Sequence, residues 1–413
     1  RPEKERPVWL RFIRMPAEKL WRRPWLTALP SAAPVQVFWR PPSAPRQRQT
    51  SSANRLFSAE EFAHSMKELQ SLAEACGKKT VGIVTQNLEK PNQAFYVGSG
   101  KVSEIQELVG FQDAEEVIFD DALSPSQMRN LGKAIGVPVL DRTNLILDIF
   151  AMRAKTREAK IQVETARLQY LLPRLIGLRE QLGRQGGASG SMSNKGTGEK
   201  KLELDRRRLE HRIHELKKEI EHLERSRETQ RKKRNASQIP QVALVGYTNA
   251  GKSTILNRIL ETFGRPQDKQ VLEKDMLFAT LETSVRKIDT GNGCPFFLSD
   301  TVGFIHKLPH GLVKAFHSTL EEIRYADLLV QVVDVSDADY REQMAVTADT
   351  LKELEIGDIP QIIVYNKADR CDRTEIPRVS EQSIHMAAGK GIGIRELVQL
   401  IQVRLYAEDK NVL

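Results

Sequence analysis

The sequence predicts an α/β protein in three parts: a small N-terminal α/β domain, an antiparallel helical hairpin, and a C-terminal P-loop domain with a mostly parallel sheet. Three observations carry this. Short apolar strands alternate with helical patterns over residues 58–143, as a parallel sheet with crossover helices requires. Leu202, Leu209, Ile213, Leu216, Ile220 and Leu223 recur at three- to four-residue and seven-residue intervals in a charged stretch, the pattern of a narrow coiled-coil seam. Finally, Gln241–Gly246 (QVALVG) is followed by YTNAGKST and an apolar helix, so GxxxxGK[ST] stands in a strand–loop–helix setting.

At 413 residues the chain suits about three folding units. No apolar run approaches the roughly 18 residues that span a bilayer, so no stable membrane insertion is expected. Only Cys76, Cys294 and Cys371 are present, without a CxxC pair. That excludes a disulfide framework and a cysteine-rich zinc site, and fits a reducing compartment. The formal net charge is +9, but it is unevenly placed. Residues 1–50 carry +8 and residues 153–234 carry +11, leaving −10 elsewhere. Two basic segments on an acidic body point to a polyanionic partner met by particular parts of the chain.

Residues 1–57 are Pro- and Arg-rich, with nine of the 19 prolines in the first fifty. Such composition cannot bury a core and reads as disordered or unassigned. An organellar leader is one reading of it, although the scattered prolines oppose an amphipathic helix. Order is expected from a capping box at Ser58–Glu61. A helix then runs to Ala75, followed by strand Thr80–Gln86 and a Gly-rich turn, YVGSGKVSEI (Tyr96–Ile105), that opens a second helix. Strand Glu116–Asp120, helix Ser124–Ile135 and strand Pro138–Leu140 complete this domain. Gly98, Gly100 and Lys101 form a GxGK, for which a structural turn is favoured over a phosphate site.

Residues 144–235 read as the hairpin. A first helix over 144–182 has Ile149, Met152, Val163, Ala166, Tyr170 and Leu171 as candidate buried positions, with a kink expected at Pro173. The stretch Gly183–Gly198 is too rich in glycine and serine to pack regularly, and a second helix covers 199–234. Arg184, Lys195, Lys200, Lys201 and the triple Arg206, Arg207, Arg208 flank the tip. A glycine tip with basic flanks suits close approach to a phosphate backbone. The alternative is a linker with solvated charges.

The third part, 236–406, holds the chemistry, with 407–413 as the start of a C-terminal extension. In Gly246, Tyr247, Thr248, Asn249, Ala250, Gly251, Lys252, Ser253 and Thr254, the glycines let backbone amides turn toward phosphates. Lys252 reaches the terminal phosphates and Ser253 offers a hydroxyl to magnesium. Strand Gln361–Tyr365 ends in Asn366, Lys367, Ala368, Asp369. A carboxylate such as Asp369 accepts the imino and amino protons of guanine, a donor pair that adenine lacks. Asn366 and the stem of Lys367 brace loop and base. Strand Phe296–Ser299 leads to Asp300, which holds magnesium through water, and to Gly303, whose amide senses the γ-phosphate. Thr280, within Leu277–Thr283, is the candidate to close over magnesium and the γ-phosphate. Phe304 follows Gly303, where many GTPases carry a water-orienting glutamine, so unaided turnover is expected to be slow. Asn249 either braces the loop or holds a potassium ion.

Several stretches together resemble the HflX family of ribosome-associated GTPases across about residues 58–406. They are YVGSGKVSEI, DRTNLILDIFAMRAKTREAKIQVETARLQYLLPRL (Asp141–Leu175), GTGEKKLELDRR (Gly196–Arg207), GYTNAGKST and LSDTVGFIHKLPHGLVKAFHSTLEE (Leu298–Glu322). The resemblance implies GTP and GDP as ligands and binding to the large ribosomal subunit through its rRNA. It further implies that the GTP-bound form splits stalled or idle ribosomes and that hydrolysis resets it. A monomer in the cytoplasm is expected, with peripheral membrane association left open. ATP binding by the N-terminal domain is also credited to this family. Three departures stand out. Gly196-Thr197-Gly198 replaces a glycine-proline-glycine, and Ala387-Ala388-Gly389 replaces the SAK-type loop, leaving the amide near Ala388 for the base. The family also usually continues into a small C-terminal domain, whereas this sequence ends at Leu413, as an incomplete or altered gene product would. The competing functional classes are a GTP-switched coiled-coil adaptor and an ATP-dependent RNA remodeller.

Overall fold

A computed structural model describes residues 34–39, 59–86, 88, 90–184, 195–235, 238–264, 277–278, 283–307, 323–356, 358–371 and 376–406. They fall into two compact units. The first joins the described residues up to Ile149 to Arg167–Arg212; the second joins Phe150–Ala166 to those from Ile213 onward.

The first unit contains a four-stranded sheet of β1 (Pro34–Trp39), β2 (Lys79–Thr85), β3 (Glu116–Phe119) and β4 (Val139–Asp141), in the order β2-β1-β3-β4 and wholly parallel. Helices α1 (Ala59–Ala75), α2 (Ser99–Gln112) and α3 (Pro125–Ile135) accompany it. Val84, Ile105, Val117, Phe119, Leu131 and Val139 form its core. The helix α3 starts where its sequence dictates. Ser124 Oγ accepts the Gln127 amide while the Gln127 side chain accepts the Ser124 amide, and Pro125 occupies the first turn.

Strand β1 falls within residues 1–57, the segment read above as disordered or unassigned. It lies between β2 and β3, with Val35 paired to Thr80 and to Glu116. Its six residues, PVQVFW, are rich in β-branched and aromatic types. They are too few to show a period among the surrounding prolines. The capping box expected at Ser58 lies outside the described residues.

The expected long helix is two helices, α4 (Arg142–Arg153) and α5 (Arg157–Arg184). The break comes at Thr156, whose Oγ1 accepts the Ala159 amide at 3.2 Å and so caps a fresh helix; α5 then continues through Pro173. The interruption resets the helical phase only for α5, since Met152 lies in the last turn of α4. Ile149, Val163 and Ala166 are buried as expected, but Met152 is 50% and Leu171 is 37% exposed. Helix α6 (Lys195–Asn235) follows, and residues 185–194 of the tip lie outside the described residues. The Arg157 guanidinium donates from Nε to Glu219 Oε1 at 2.7 Å. This joins the first turn of α5 to the second half of α6, as antiparallel helices require. Of the seam, Ile213 and Leu216 are buried, and Leu209, Ile220 and Leu223 are half-buried.

Buried charge holds the C-terminal ends of β3 and β4. Arg142, only 2% exposed, donates to Asp120 Oδ1 at 2.6 Å and forms an ion pair with Glu68. Ser65 Oγ donates to Asp120 Oδ2 at 2.8 Å. Beside them, Asp141 accepts the Leu123 and Asn144 amides, the Tyr170 hydroxyl at 2.6 Å and Arg174 at 3.1 Å. Burial, then the neighbouring Asp141 charge, push the Tyr170 hydroxyl pKa up, so it stays a donor. The network therefore ties α4 and α5 to the strands that precede them.

The second unit has a six-stranded sheet of β5 (Gln241–Gly246), β6 (Ser284–Ile288), β7 (Phe296–Asp300), β8 (Leu328–Asp334), β9 (Gln361–Asn366) and β10 (Ser383–His385). Their order is β10-β9-β8-β5-β7-β6, parallel except for edge strand β6. Helices α7 (Lys252–Phe263), α8 (Tyr340–Glu353) and α9 (Ile394–Tyr406) belong to it. Six consecutive residues of β8 are buried, as in a strand covered on both faces. Among the described residues, no helix is long and apolar enough to cross a membrane.

Replacing Arg142 with Met leaves Glu68 and Asp120 as buried charges without their cation. Denaturant unfolding should show a loss of about 3–5 kcal/mol, the scale for one partner removed from a buried pair. Adding Glu68→Gln and Asp120→Asn should recover most of it. An unchanged midpoint in the single variant would show that the network does not hold these strands.

Candidate nucleotide site

The phosphate loop leaves β5 at Gly246 and enters α7 at Lys252. Two of its glycines are required by space as well as by backbone angle. Gly246 has φ 141°, and a Cβ there would run into the Val332 carbonyl of β8. Gly251 has φ 99°, and its Cβ would land on the Asn366 amide nitrogen. Only glycine meets both demands. Asn249 takes φ 61° and is exposed at the loop's crest, an angle asparagine tolerates better than most residues. Ala250 is buried, and Thr254 lies in the first turn of α7, half-buried.

Lys252 is buried and donates to the Gly246 and Tyr247 carbonyls at 3.0 and 2.7 Å. Burial pushes its ammonium pKa down to about 8, partly opposed by the Asp300 carboxylate. A charge held among neutral carbonyls favours an anionic ligand that would restore its partner. Asp300, fully buried at the end of β7, accepts the Ser253 hydroxyl at 2.7 Å. Two hard oxygen donors therefore stand side by side, which fits the residues to a magnesium ion.

The DxxG segment is built against the phosphate loop. Phe304 N donates to the Gly246 carbonyl at 3.1 Å, and Thr248 N donates to the Phe304 carbonyl at 2.8 Å. A Cβ on Gly303 would sit 2.7 Å from Thr248 Cα, so this approach excludes any side chain there. The Phe304 ring is 1% exposed. It serves as core packing, and its chemistry offers no group to align water. Tyr247 caps the segment by accepting the His306 amide at its hydroxyl, 2.8 Å away.

Asn366 links the Ala250 and Ala388 loops. Its Nδ2 donates to the Ala250 carbonyl at 2.8 Å, and its Oδ1 accepts the Ala388 amide at 3.0 Å. Lys367, at φ 58°, pairs with Asp334 at 2.7 Å. Asp369 lies on the one-turn 3-10 helix Ala368–Arg370 and pairs with Lys390 at 2.9 Å. That hydrogen bond leads the causes that hold its carboxyl below the usual range. Ala387 and Ala388 are both buried, which leaves only their backbone for a ligand. Three further residues shape these loops: Arg258, which donates to the Gly389 carbonyl at 2.9 Å, and Asp334 and Lys390. None of the three sits in a recognised motif, although Lys390 lies only two residues past Ala388.

Thr280 lies outside the described residues. Nearby, Phe278 is 2% exposed and meets Phe150 edge-on, with ring centroids 4.7 Å apart and planes at 81°. The basic candidates divide. Arg184, Lys195, Lys200 and Lys201 are in or at the ends of helices, and their side chains lie outside the described residues. Arg206, Arg207 and Arg208 pair along α6 with Glu203, Glu210 and Asp205 at 3.1–3.7 Å. Arg207 and Arg208 are also 71% and 78% exposed, and such pairs contribute little in water. The GxGK of the first unit is engaged by neighbouring side chains. Gly98 N donates to Gln86 Oε1 at 2.9 Å, and Lys101 pairs with Glu104 at 2.5 Å.

The chain is similar to known proteins along most of its length. Residues 63–151 match the family described as GTP-binding GTPase N-terminal, residues 153–234 the GTP-binding GTPase Middle Region, and residues 241–367 the 50S ribosome-binding GTPase family. The chain is 43% identical to GTPase HflX of Caldanaerobacter subterraneus subsp. tengcongensis over 367 residues, 89% of this chain and 83% of that one. It is 40% identical to GTPase HflX of Escherichia coli K12, covering 85% and 82% of the two chains. Among solved structures, a GTP-binding protein from Sulfolobus solfataricus in complex with GDP aligns at TM-score 0.43 and 23% identity, over 90% of this chain and 99% of that one. With its P-loop domain and relatives of this identity and coverage, the chain belongs to the HflX family of GTPases.

Proposed function

We propose that this GTPase binds the large ribosomal subunit and uses GTP-gated binding to separate stalled or idle ribosomes in the cytoplasm. The observation that carries the nucleotide half is the double hydrogen bond of Asn366, which brings the phosphate loop and the Ala388 loop to one base-and-phosphate site. For the ribosomal half, support comes from the description of the family matched by residues 241–367 and from the positive balance of residues 153–234.

In this reading the loop amides and Lys252 bind the phosphates, and the Ala388 amide and Asp369 read guanine. Ser253 and Asp300, joined by Thr280, would hold magnesium, which neutralises charge on the terminal phosphates when bound. The Gly303 amide senses the γ-phosphate. With Phe304 packed in the core, water must be aligned by something other than its side chain. Two sources fit: a ribosomal surface that reshapes the switch segment, or a potassium ion at exposed Asn249. Along α6, the arginines exchange their weak carboxylate pairs for RNA phosphates.

Three outcomes test this. Asp369→Asn should weaken GTP about 10- to 100-fold, the scale of removing charged hydrogen bonds. It should also improve xanthosine triphosphate, whose carbonyl then faces an amide; calorimetry reads both. Alanine at Arg206, Arg207 and Arg208 together should reduce cosedimentation with large subunits. For every RNA phosphate that is no longer neutralised, the logarithmic salt slope should flatten by about 0.7–0.9. An unchanged slope would place the RNA-binding surface elsewhere, and binding indifferent to nucleotide and salt would favour a protein adaptor. Exchanging sodium for potassium should raise GTP turnover, and Asn249→Ala should erase the difference. Equal rates in the two salts would remove the cation.

A further inference from the structure

The guanine motif ends in a carboxylate that its own element does little to hold. Asp369 is the middle residue of a single 3-10 turn, with its side chain 23% exposed. A hydrated aspartate on so short a support can rotate about its side-chain bonds, whereas reading guanine demands that both oxygens face the base edge. Its partner Lys390 sits on a second 3-10 turn, Ala388–Lys390, and that turn is firmly placed. The Ala388 amide is held by Asn366 at 3.0 Å, and the Gly389 carbonyl by Arg258 at 2.9 Å. Ala387 and Ile392 exchange two backbone hydrogen bonds of 3.2 Å, and Gly391 closes the turn at φ 72°.

We propose that Lys390 is a positioning residue of the guanine pocket: through Oδ2 it fixes the plane of the Asp369 carboxylate against the base edge. The inference rests on the guanine reading of Asp369 given above. An ionised carboxylate offers about four acceptor directions, two on each oxygen. The imino and amino protons of guanine take one direction on each oxygen, which leaves an outer direction on Oδ2 for the ammonium. Base and lysine are therefore held together without competing. The Lys390 side chain is 61% exposed, so its effect is that of a solvent-facing pair, modest and weakened by salt. Arg370 adds a smaller positive contribution at Asp369, while the nearby Lys367 is engaged by Asp334. Lys390 is thus the main cation directed at this carboxylate among the described residues.

Calorimetric binding of GDP and of inosine diphosphate, which lacks the amino group, separates positioning from general loosening of the loop. Lys390→Met should weaken GDP about 2- to 5-fold, the scale of one exposed ion pair. It should weaken inosine diphosphate less, so the ratio of the two affinities falls; Lys390→Arg should restore the ratio. Equal weakening for both ligands would reduce Lys390 to loop support. Unchanged or tighter GDP binding would make it irrelevant or a competitor of the base; each of these results overturns the proposal. Asp369→Ala is measured beside them. Should it keep the wild-type preference for GDP, the guanine reading itself falls and Lys390 falls with it. Loss of that preference alongside a silent Lys390→Met sinks only the lysine.

Discussion

The amide side chain of Asn366 is the constraint from which the site takes its shape. It is buried, and it donates to one loop while accepting from another. A polar group of this kind is costly to bury unless both ends are satisfied, so the two loops have one low-energy arrangement. Gly251 belongs to the same constraint, because any side chain there would strike the Asn366 nitrogen. An asparagine that sequence reading treats as part of base recognition is, physically, the fastening between the phosphate end and the base end of the pocket.

The rest of the site is arranged around charge kept from water. Lys252 donates to two backbone carbonyls and has a lowered pKa, which Asp300 partly offsets. Asp300 is buried, accepts the Ser253 hydroxyl and faces the Lys252 ammonium electrostatically. Each is poorly matched by its protein surroundings and well matched by a nucleotide carrying a metal ion. The DxxG segment, in contrast, is held by backbone hydrogen bonds on both sides of Phe304. Among the described residues, the loops at Gly246, Phe304 and Asn366 are thus fixed to one another by hydrogen bonds.

Most of the second unit was legible because its elements follow local rules. The Gln241–Gly246 strand, the glycine loop and the Asn366–Asp369 turn sit where the spacing puts them. Legibility failed where a signal was short or depended on distant partners. Strand β1 is six residues between prolines, and its place in the sheet is fixed by pairing with β2 and β3. The break before α5 rests on one threonine cap, which a continuous helical period conceals. Arg142 reads as an ordinary basic residue, yet two carboxylates 22 and 74 positions away turn it into a core residue. Arg258 and Lys390 likewise gain their meaning from partners 131 and 21 residues away, which no local pattern encodes.

The division of the helical region has a practical corollary. Neither compact unit is one uninterrupted stretch of chain, since the second takes in Phe150–Ala166 from upstream. That excursion carries the aromatic ring covering Phe278 and the guanidinium gripping Glu219. A fragment begun at the phosphate-loop strand would retain every nucleotide motif and still present a bare phenylalanine to solvent. Its solubility and turnover would then describe a damaged surface, not the behaviour of the G domain in the intact chain.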